Sequence, residues 1–248
     1  MQEHNENALA TGVIFGRNPV REALKAGRPA DSLLVVTGAA LPADVAALAK
    51  KQRVPIKEVP VSKLDKLCGG QVHQGVALCV AAKEYSTLDE VFALAESRGE
   101  PPFLLLCDGI QDPHNLGALI RSAEACGVHG ILLPERGNVG LTATVEKSSA
   151  GALEYMKIVK VKNLAAAMDT LKERNVWLYC ADMDGTDIRS VDFSGGVGII
   201  VGSEGDGVSR LVREKSDFIV SIPMRGSVNS LNASVAGAIL LYEAGKGR

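Results

Sequence analysis

Residues 222–241 read Ile222-Pro-Met-Arg-Gly-Ser-Val-Asn-Ser-Leu-Asn-Ala-Ser-Val-Ala-Gly-Ala-Ile-Leu-Leu241. The β-prone run Phe218–Ile222 predicts a strand, and Pro223, which has no N–H to give a ladder, ends it. A polar loop carrying Ser227, Asn229, Ser230 and Asn232 comes next, and Ala233–Ala244 predicts an apolar helix rich in small residues. Small side chains let a helix backbone approach its neighbours closely, and a polar loop ahead of a helix start is a place to hold a ligand.

The same alternation runs upstream to Phe103. Strands are predicted at Phe103–Asp108, Gly130–Leu133, Met156–Val159, Val176–Ala181 and Val197–Val201. Helices are predicted at Leu116–Cys126 and Leu164–Glu173, with short helical turns at Thr144–Ser149 and Ser209–Glu214. Continuous apolar strands alternating with helices mean an α/β domain, 103–248, with a parallel sheet covered on both faces. Ligands of such sheets gather at the carboxyl ends of the strands. Three segments fall there, after the first, fifth and sixth strands: Asp112-Pro-His-Asn-Leu-Gly-Ala-Leu-Ile-Arg121, Ile200-Val-Gly-Ser-Glu-Gly205, and the loop quoted above.

A smaller α/β unit, residues 12–82, precedes this domain. Asn18 reads as a helix cap with Pro19 at the first helical position and Gly27 past the end. Ser32–Val36 and Pro55–Val59 read as strands, Ala43–Lys51 as a helix and Val76–Ala81 as a buried strand. Ser62-x-x-Asp65 opens a short helix. Residues 83–102 read as the connector, in which Thr87 caps a helix over Leu88–Ser97 before Gly99 and Pro101-Pro102 stop it. Residues 1–11 are polar and acidic, lack the apolar stretch of a secretory signal, and read as a disordered N-terminus.

Composition narrows the function. Apolar residues make up 46% and aromatics 4%, so the core is mostly aliphatic. No apolar run of about 18 residues suggests a membrane span. Cys68, Cys79, Cys107, Cys126 and Cys180 are odd in number and lack CxxC spacing, as expected of the buried free thiols of a cytoplasmic protein. The four histidines show no metal-ligand spacing with them, so no metal is expected. Net charge is −2, yet residues 12–82 hold ten Lys/Arg against five Asp/Glu, and 83–248 hold seventeen against twenty-two. A basic unit beside an acidic one suits a binding domain attached to a catalytic one.

Familiar motifs fail. The first strand of the larger domain ends Asp108-Gly-Ile-Gln111, without the G-x-G-x-x-G of a dinucleotide-binding turn, and Gly205-Asp-Gly207 lacks the third glycine. Gly202-Ser-Glu-Gly205 is not a hydrolase elbow. Asp182-Met-Asp-Gly185 lacks the remaining ligands of a calcium loop and reads as a turn after a strand. Taken singly, Asp112–Asn115 reads as a turn and helix cap, Arg121 as a surface arginine or structural ion pair, Glu204 as a loop carboxylate, and Ser230 with Asn232 as capping residues. At 100° per residue Arg121 stands about 240° round the helix from Asn115, so facing alone does not pair them.

The joint spacing is what carries information. The three segments resemble the signature of the SpoU (TrmH-type) RNA ribose 2′-O-methyltransferases of the knotted SPOUT superfamily. The similarity runs from about Val13 to Tyr242 and is closest to the RlmB-like branch, which methylates a guanosine ribose in 23S ribosomal RNA. Phe15-Gly-Arg-Asn-Pro-Val-Arg-Glu-Ala-Leu24 resembles the start of that family's small RNA-binding domain, and His73-Gln-Gly-Val76 its closing segment. The resemblance implies a deep trefoil knot, a homodimer with active sites near the subunit interface, and S-adenosylmethionine held at Gly202, Ile222 and Leu231. It implies catalytic roles for Asn115, Arg121, Glu204, Ser230 and Asn232. Arginine is a poor general base because its pKa exceeds about 12, so electrostatic stabilisation of the 2′-oxygen is the physically sound role for Arg121. The alternatives are the same chemistry on transfer RNA or another ribosomal site, a non-catalytic RNA-binding assembly factor, and, last, a dehydrogenase.

Overall fold

A computed structural model describes residues 11–227 and 230–248. Residues 1–10, where most of the disordered N-terminus was expected, lie outside it, as do Val228 and Asn229 of the polar loop. The chain divides into two compact units, 1–84 and 85–248.

The first unit runs β1 (Thr11–Phe15), α1 (Arg17–Lys25), β2 (Ala30–Val36), α2 (Ala43–Lys51), β3 (Ile56–Val59), α3 (Val61–Leu67) and β4 (Val76–Ala81). Its four strands lie in the order β1-β4-β2-β3, antiparallel across β4 and parallel between β2 and β3. Strand β1 was not foreseen; it borrows its register from β4. The caps also differ from the sequence reading. Helix α1 starts at Arg17, with Gly16 at φ 95° as its cap, and Asn18 Oδ1 accepts instead from Arg21 Nη1 at 2.6 Å. The Arg17 N–H is satisfied by Gln74 Oε1 at 2.8 Å, so no side chain within the helix is needed. Pro19 is tolerated because first-turn N–H groups have no intrahelical acceptor. Helix α3 likewise starts at Val61 behind Pro60, leaving Ser62 inside the first turn without a capping bond.

The second unit begins with the stretch read as a connector. Ser86 N–H donates to Ile158 O at 2.7 Å, and α4 (Leu88–Arg98) packs Val91 and Phe92 into the unit's core. Thr87 and Glu90 form a reciprocal capping box, and Gly99 in the left-handed conformation ends the helix. Helix α4 is therefore one of the covering helices of the sheet rather than part of a linker. Then follow β5 (Phe103–Asp108), α5 (Pro113–Ala125), β6 (Gly130–Pro134), α6 (Ala143–Ser148), β7 (Lys157–Val161), α7 (Leu164–Glu173), β8 (Val176–Asp187), β9 (Gly196–Gly202), α8 (Arg210–Lys215), β10 (Phe218–Ser221) and α9 (Ala233–Ala244).

All six strands are parallel, in the order β10-β8-β9-β5-β6-β7. Alternate residues of β5 serve opposite faces. Phe103, Leu105 and Cys107 join one core with α5 and α9, while Leu104 and Leu106 join another with α4 and α7. Each fully buried aliphatic side chain contributes roughly 1.5–3 kcal/mol, which fixes strand register firmly. The segment Asp182–Gly185 is not a turn after a strand. It is a bulge inside β8, across which the pairing with β10 jumps from Cys180–Ile219 to Thr186–Val220. The close approach of Gly185 to the Val220 backbone admits this bulge, since a Cβ there would lie 2.5 Å from the Val220 carbonyl carbon. Among the described residues no helix is long and apolar enough to cross a membrane.

His129 joins the start of β5 to the end of α4. Its Nδ1 accepts from Phe103 N–H at 3.0 Å, so its Nε2 carries the proton that faces Glu100 at 3.0 Å. Burial first, and then the charge of Arg98, lower its pKa against the pull of Glu100. A histidine whose folded pKa lies below its unfolded value binds fewer protons folded than unfolded. Its contribution is therefore full above an unfolded pKa of about 6.5 and is lost as pH falls below it. Urea unfolding should show stability declining from pH 7 to pH 5, and His129→Gln should flatten that decline. An unchanged slope in the variant would assign the pH dependence elsewhere.

Candidate active site

The strand order places the site. From β5 the sheet grows through β6 and β7 on one side and through β9, β8 and β10 on the other, so the carboxyl ends of β5 and β9 meet where the order reverses. Their register sets Asp108 beside Gly202. Asp108 Oδ2 accepts from Ser209 N–H at 2.8 Å, tying the end of β5 to the segment after β9. Between them Ser203 and Gly207 exchange two backbone hydrogen bonds, at 3.0 and 3.1 Å, and close a tight turn. A Cβ on Gly202 would lie 2.1 Å from the Gly207 carbonyl carbon, so the turn folds back only over a glycine.

Three side chains converge above this turn. Asp112 caps α5 by accepting from His114 N–H at 2.9 Å, with Pro113 at the first helical position, and this sets buried Asn115 on the inner face of the first turn. Asn232 caps α9. Its Oδ1 accepts from Ser234 N–H at 3.0 Å and Val235 N–H at 3.2 Å. That choice forces its Nδ2 outward, where it donates to Asn115 Oδ1 at 2.9 Å and to Glu204 Oε1. Asn115 Nδ2 donates to the same Glu204 oxygen at 3.0 Å. Of the pair Ser230 and Asn232, only Asn232 caps the helix. Ser230 is exposed and makes no hydrogen bond among the described residues.

Two cavities open on either side of the 203–207 turn. One, of about 320 Å³, is lined by Gly202, Ile222, Ser230 and Leu231, with apolar walls from Val201, Met224 and Leu240. The other, of about 490 Å³, is lined by Asp108, Asp112, Asn115 and Glu204, and among the described residues no Lys or Arg lines it. Arg121 stands apart. It is exposed on α5 and makes no hydrogen bond or ion pair among the described residues. Beneath the site, burial pushes the Cys107 thiol up to about 12, so it is not a nucleophile at neutral pH.

A pair of amides sharing one carboxylate beside a small apolar cavity, at the switch point of a parallel sheet, is a binding arrangement. Residues 102–242 match the model of the SpoU rRNA methylase family, and residues 13–86 match that of the RNA 2′-O ribose methyltransferase substrate-binding domain. The chain belongs to the SpoU family. It is 46% identical over 235 residues, 93% of each chain, to YacO of Bacillus subtilis (strain 168), by name a TrmH family tRNA/rRNA methyltransferase. It is 42% identical over 234 residues to a protein of the same designation in Staphylococcus aureus (strain MSSA476), covering 93% of this chain and 94% of that one. Among solved structures, the SpoU methyltransferase AviRb from Streptomyces viridochromogenes, in complex with the cofactor AdoMet, superposes with a TM-score of 0.79 at 26% identity, over 98% of this chain and 93% of that one. The α/β fold with a parallel sheet and an N-terminal substrate-binding domain is thus that of SpoU RNA ribose 2′-O-methyltransferases, and the strand order is compatible with their knot.

Sequence reasoning missed two residues that shape the site. Asp108 is one. The other is Asn138, whose Oδ1 accepts from Ile110 N–H while its Nδ2 donates to Cys107 O at 2.9 Å, pinning the loop after β5. Asp108 at a strand end was a usable signal; Asn138, in a loop after β6, carried none. The Asn232 cluster has a direct test. Asn232→Ala removes both cap and bridge and should lower unfolding free energy by about 1–2 kcal/mol. Asn232→Asp keeps the capping oxygen but sets a second carboxylate against Glu204. Chemical denaturation at pH 7 should find the Asp variant destabilised too; wild-type stability in that variant would show that the bridge is immaterial.

Proposed function

We propose that the protein transfers a methyl group from S-adenosylmethionine to the ribose 2′-hydroxyl of a guanosine in 23S ribosomal RNA, as a cytoplasmic homodimer. One observation carries the reading: the Asn115–Glu204–Asn232 cluster reaches, through Glu204, the cavity lined by Gly202, Ile222 and Leu231, and all of these residues belong to the three family segments.

The residues fit the cofactor. A cavity of about 320 Å³ with branched aliphatic walls and backbone edges suits an adenine and a short amino-acid tail. When bound, the cofactor supplies a methyl group already activated on a sulfonium. The protein's part is to hold the ribose hydroxyl in line and favour loss of its proton. Asn115 and Asn232 have their amides fixed by Glu204, so this rim is preorganised. Ser230, exposed at the cavity mouth, is free to meet the target nucleotide. The neighbouring cavity has an acidic lining and, among the described residues, no Lys or Arg, so the positive charge that would stabilise a developing 2′-oxyanion comes from outside that lining. Arg121 supplies that charge across the subunit interface. Support for the dimer lies on α9, where Val235, Ile239 and Tyr242, spaced four and three apart on one face, are 47%, 39% and 67% exposed. The basic balance of residues 12–82 suits a domain that holds RNA.

Methyl transfer from labelled S-adenosylmethionine to unmodified 23S and transfer RNA, mapped by nuclease digestion and mass spectrometry, tests chemistry and substrate together. A ribose-methylated guanosine in 23S RNA is expected. Label confined to transfer RNA keeps the chemistry and overturns the substrate. Arg121→Ala should abolish transfer while cofactor affinity stays within a few-fold, and near-normal turnover would remove Arg121 from the mechanism. Ile239→Asp should shift sedimentation from dimer to monomer; a wild-type sedimentation coefficient would place the interface elsewhere.

A further inference from the structure

The outer strands β8 and β10 carry a third cavity, of about 670 Å³, that methyl transfer does not use. Three aromatic rings form its wall. Buried Tyr179 stacks on Phe218 at 4.9 Å and 17°, and Trp177 meets Phe218 at 5.9 Å and 59°. Trp177 and Phe218 are 52% and 44% exposed, an unusual amount of ring surface for a chain with so few aromatics.

The polar part of the lining has one sign. Asp184, Asp192 and Asp217 face the cavity, and among the described residues no Lys or Arg lines it. Asp217 is compensated by Lys172 Nζ at 2.7 Å. The Asp192 carboxylate accepts from Ser194, through its N–H and Oγ–H at 2.9 Å each, and the Asp184 carboxylate makes no hydrogen bond or ion pair among the described residues; the Arg213 guanidinium, which feels its charge, is bound to Asp182 at 2.7 Å and does not line the space. Arg248, another nearby cation, is engaged by the carbonyls of Pro101, Phe193 and Gly195 and does not line the space. Aromatic faces carry negative potential, and two carboxylates outside any ion pair beside them strengthen it. The same charges repel a phosphate, so an RNA backbone is the wrong ligand here.

We propose that this aromatic and acidic cavity is a binding site for an organic cation, a guanidinium or alkylammonium group. The cation lies against the rings of Trp177 and Phe218 while Asp184 and Asp192 neutralise it.

Trp177 is the chain's single tryptophan, so its fluorescence reads occupancy directly. The full-length protein is titrated with acetyl-glycyl-arginine amide, spermidine and tetramethylammonium. A saturable change is expected with at least one, weakened by raising NaCl to 0.5 M. Asp184→Asn combined with Asp192→Asn should weaken binding about five- to tenfold, and Phe218→Leu, which keeps apolar bulk without a π face, should weaken it as well. Thermal melting checks that both variants fold, and the salt series on the wild-type protein needs no variant. Tighter binding of the arginine peptide than of spermidine would assign the site to a polypeptide partner; the reverse would assign it to a free polyamine. The proposal fails if none of the three saturates, if salt leaves the affinity unchanged, or if guanosine monophosphate alone alters the signal.

Discussion

One amide side chain, that of Asn232, is the joint on which the site depends. It has a single acceptor oxygen, and the first turn of α9 takes it. Its two N–H groups are thereby directed at Asn115 and Glu204, residues separated from it by 117 and 28 positions in the chain. Serine, threonine or aspartate can cap a helix, but none of them can also donate to a carboxylate through an amide group. The start of α9, the first turn of α5 and the turn after β9 are therefore mutually dependent, and a shift in any of them is felt by the other two.

That joint rests on a rigid bed. All seven residues of β9 are buried, and β5 beside it is buried through five of six. Close contacts at glycine hold the layers together: a Cβ on Gly237 of α9 would stand 2.4 Å from Leu119 of α5. Interiors packed this tightly do not deform continuously, so the polar rim sits on a bed that keeps its shape. The rim itself is open, with exposed Ser230, Glu204 and Arg121. A buried apolar floor with an exposed polar edge suits a site whose large substrate arrives from outside and supplies much of the enclosure.

Local signals in the sequence were legible where one physical effect dominated. The apolar runs of β5, β6 and β9 are long and unbroken, and the helices Ala43–Lys51, Leu164–Glu173 and Ala233–Ala244 fall on the residues expected for them. They failed where a distant partner competed with a local one. Asn18 has the chemistry of a cap, but Gln74 from the far end of the unit satisfies the helix start. Asp182–Gly185 has the composition of a turn, but pairing with β10 on both sides makes it a bulge. The segment 83–102 is bounded like a linker, yet the apolar residues of α4 find a core in the larger unit.

By itself, then, the sequence determined the periodicity of the elements, the α/β class, and the three segments whose residue types and spacing mark the family. Those properties depend on neighbouring residues and on motif spacing, and both are written along the chain. The tertiary structure alone decided that Asn115, Glu204 and Asn232 share one hydrogen-bonded cluster, that Gly202, Ile222, Ser230 and Leu231 line one cavity, and that Arg121 stands outside both. These depend on the order of strands in the sheet, which brings β5 beside β9 across nearly a hundred residues. No local pattern specifies that order; only the packing of both sheet faces at once does.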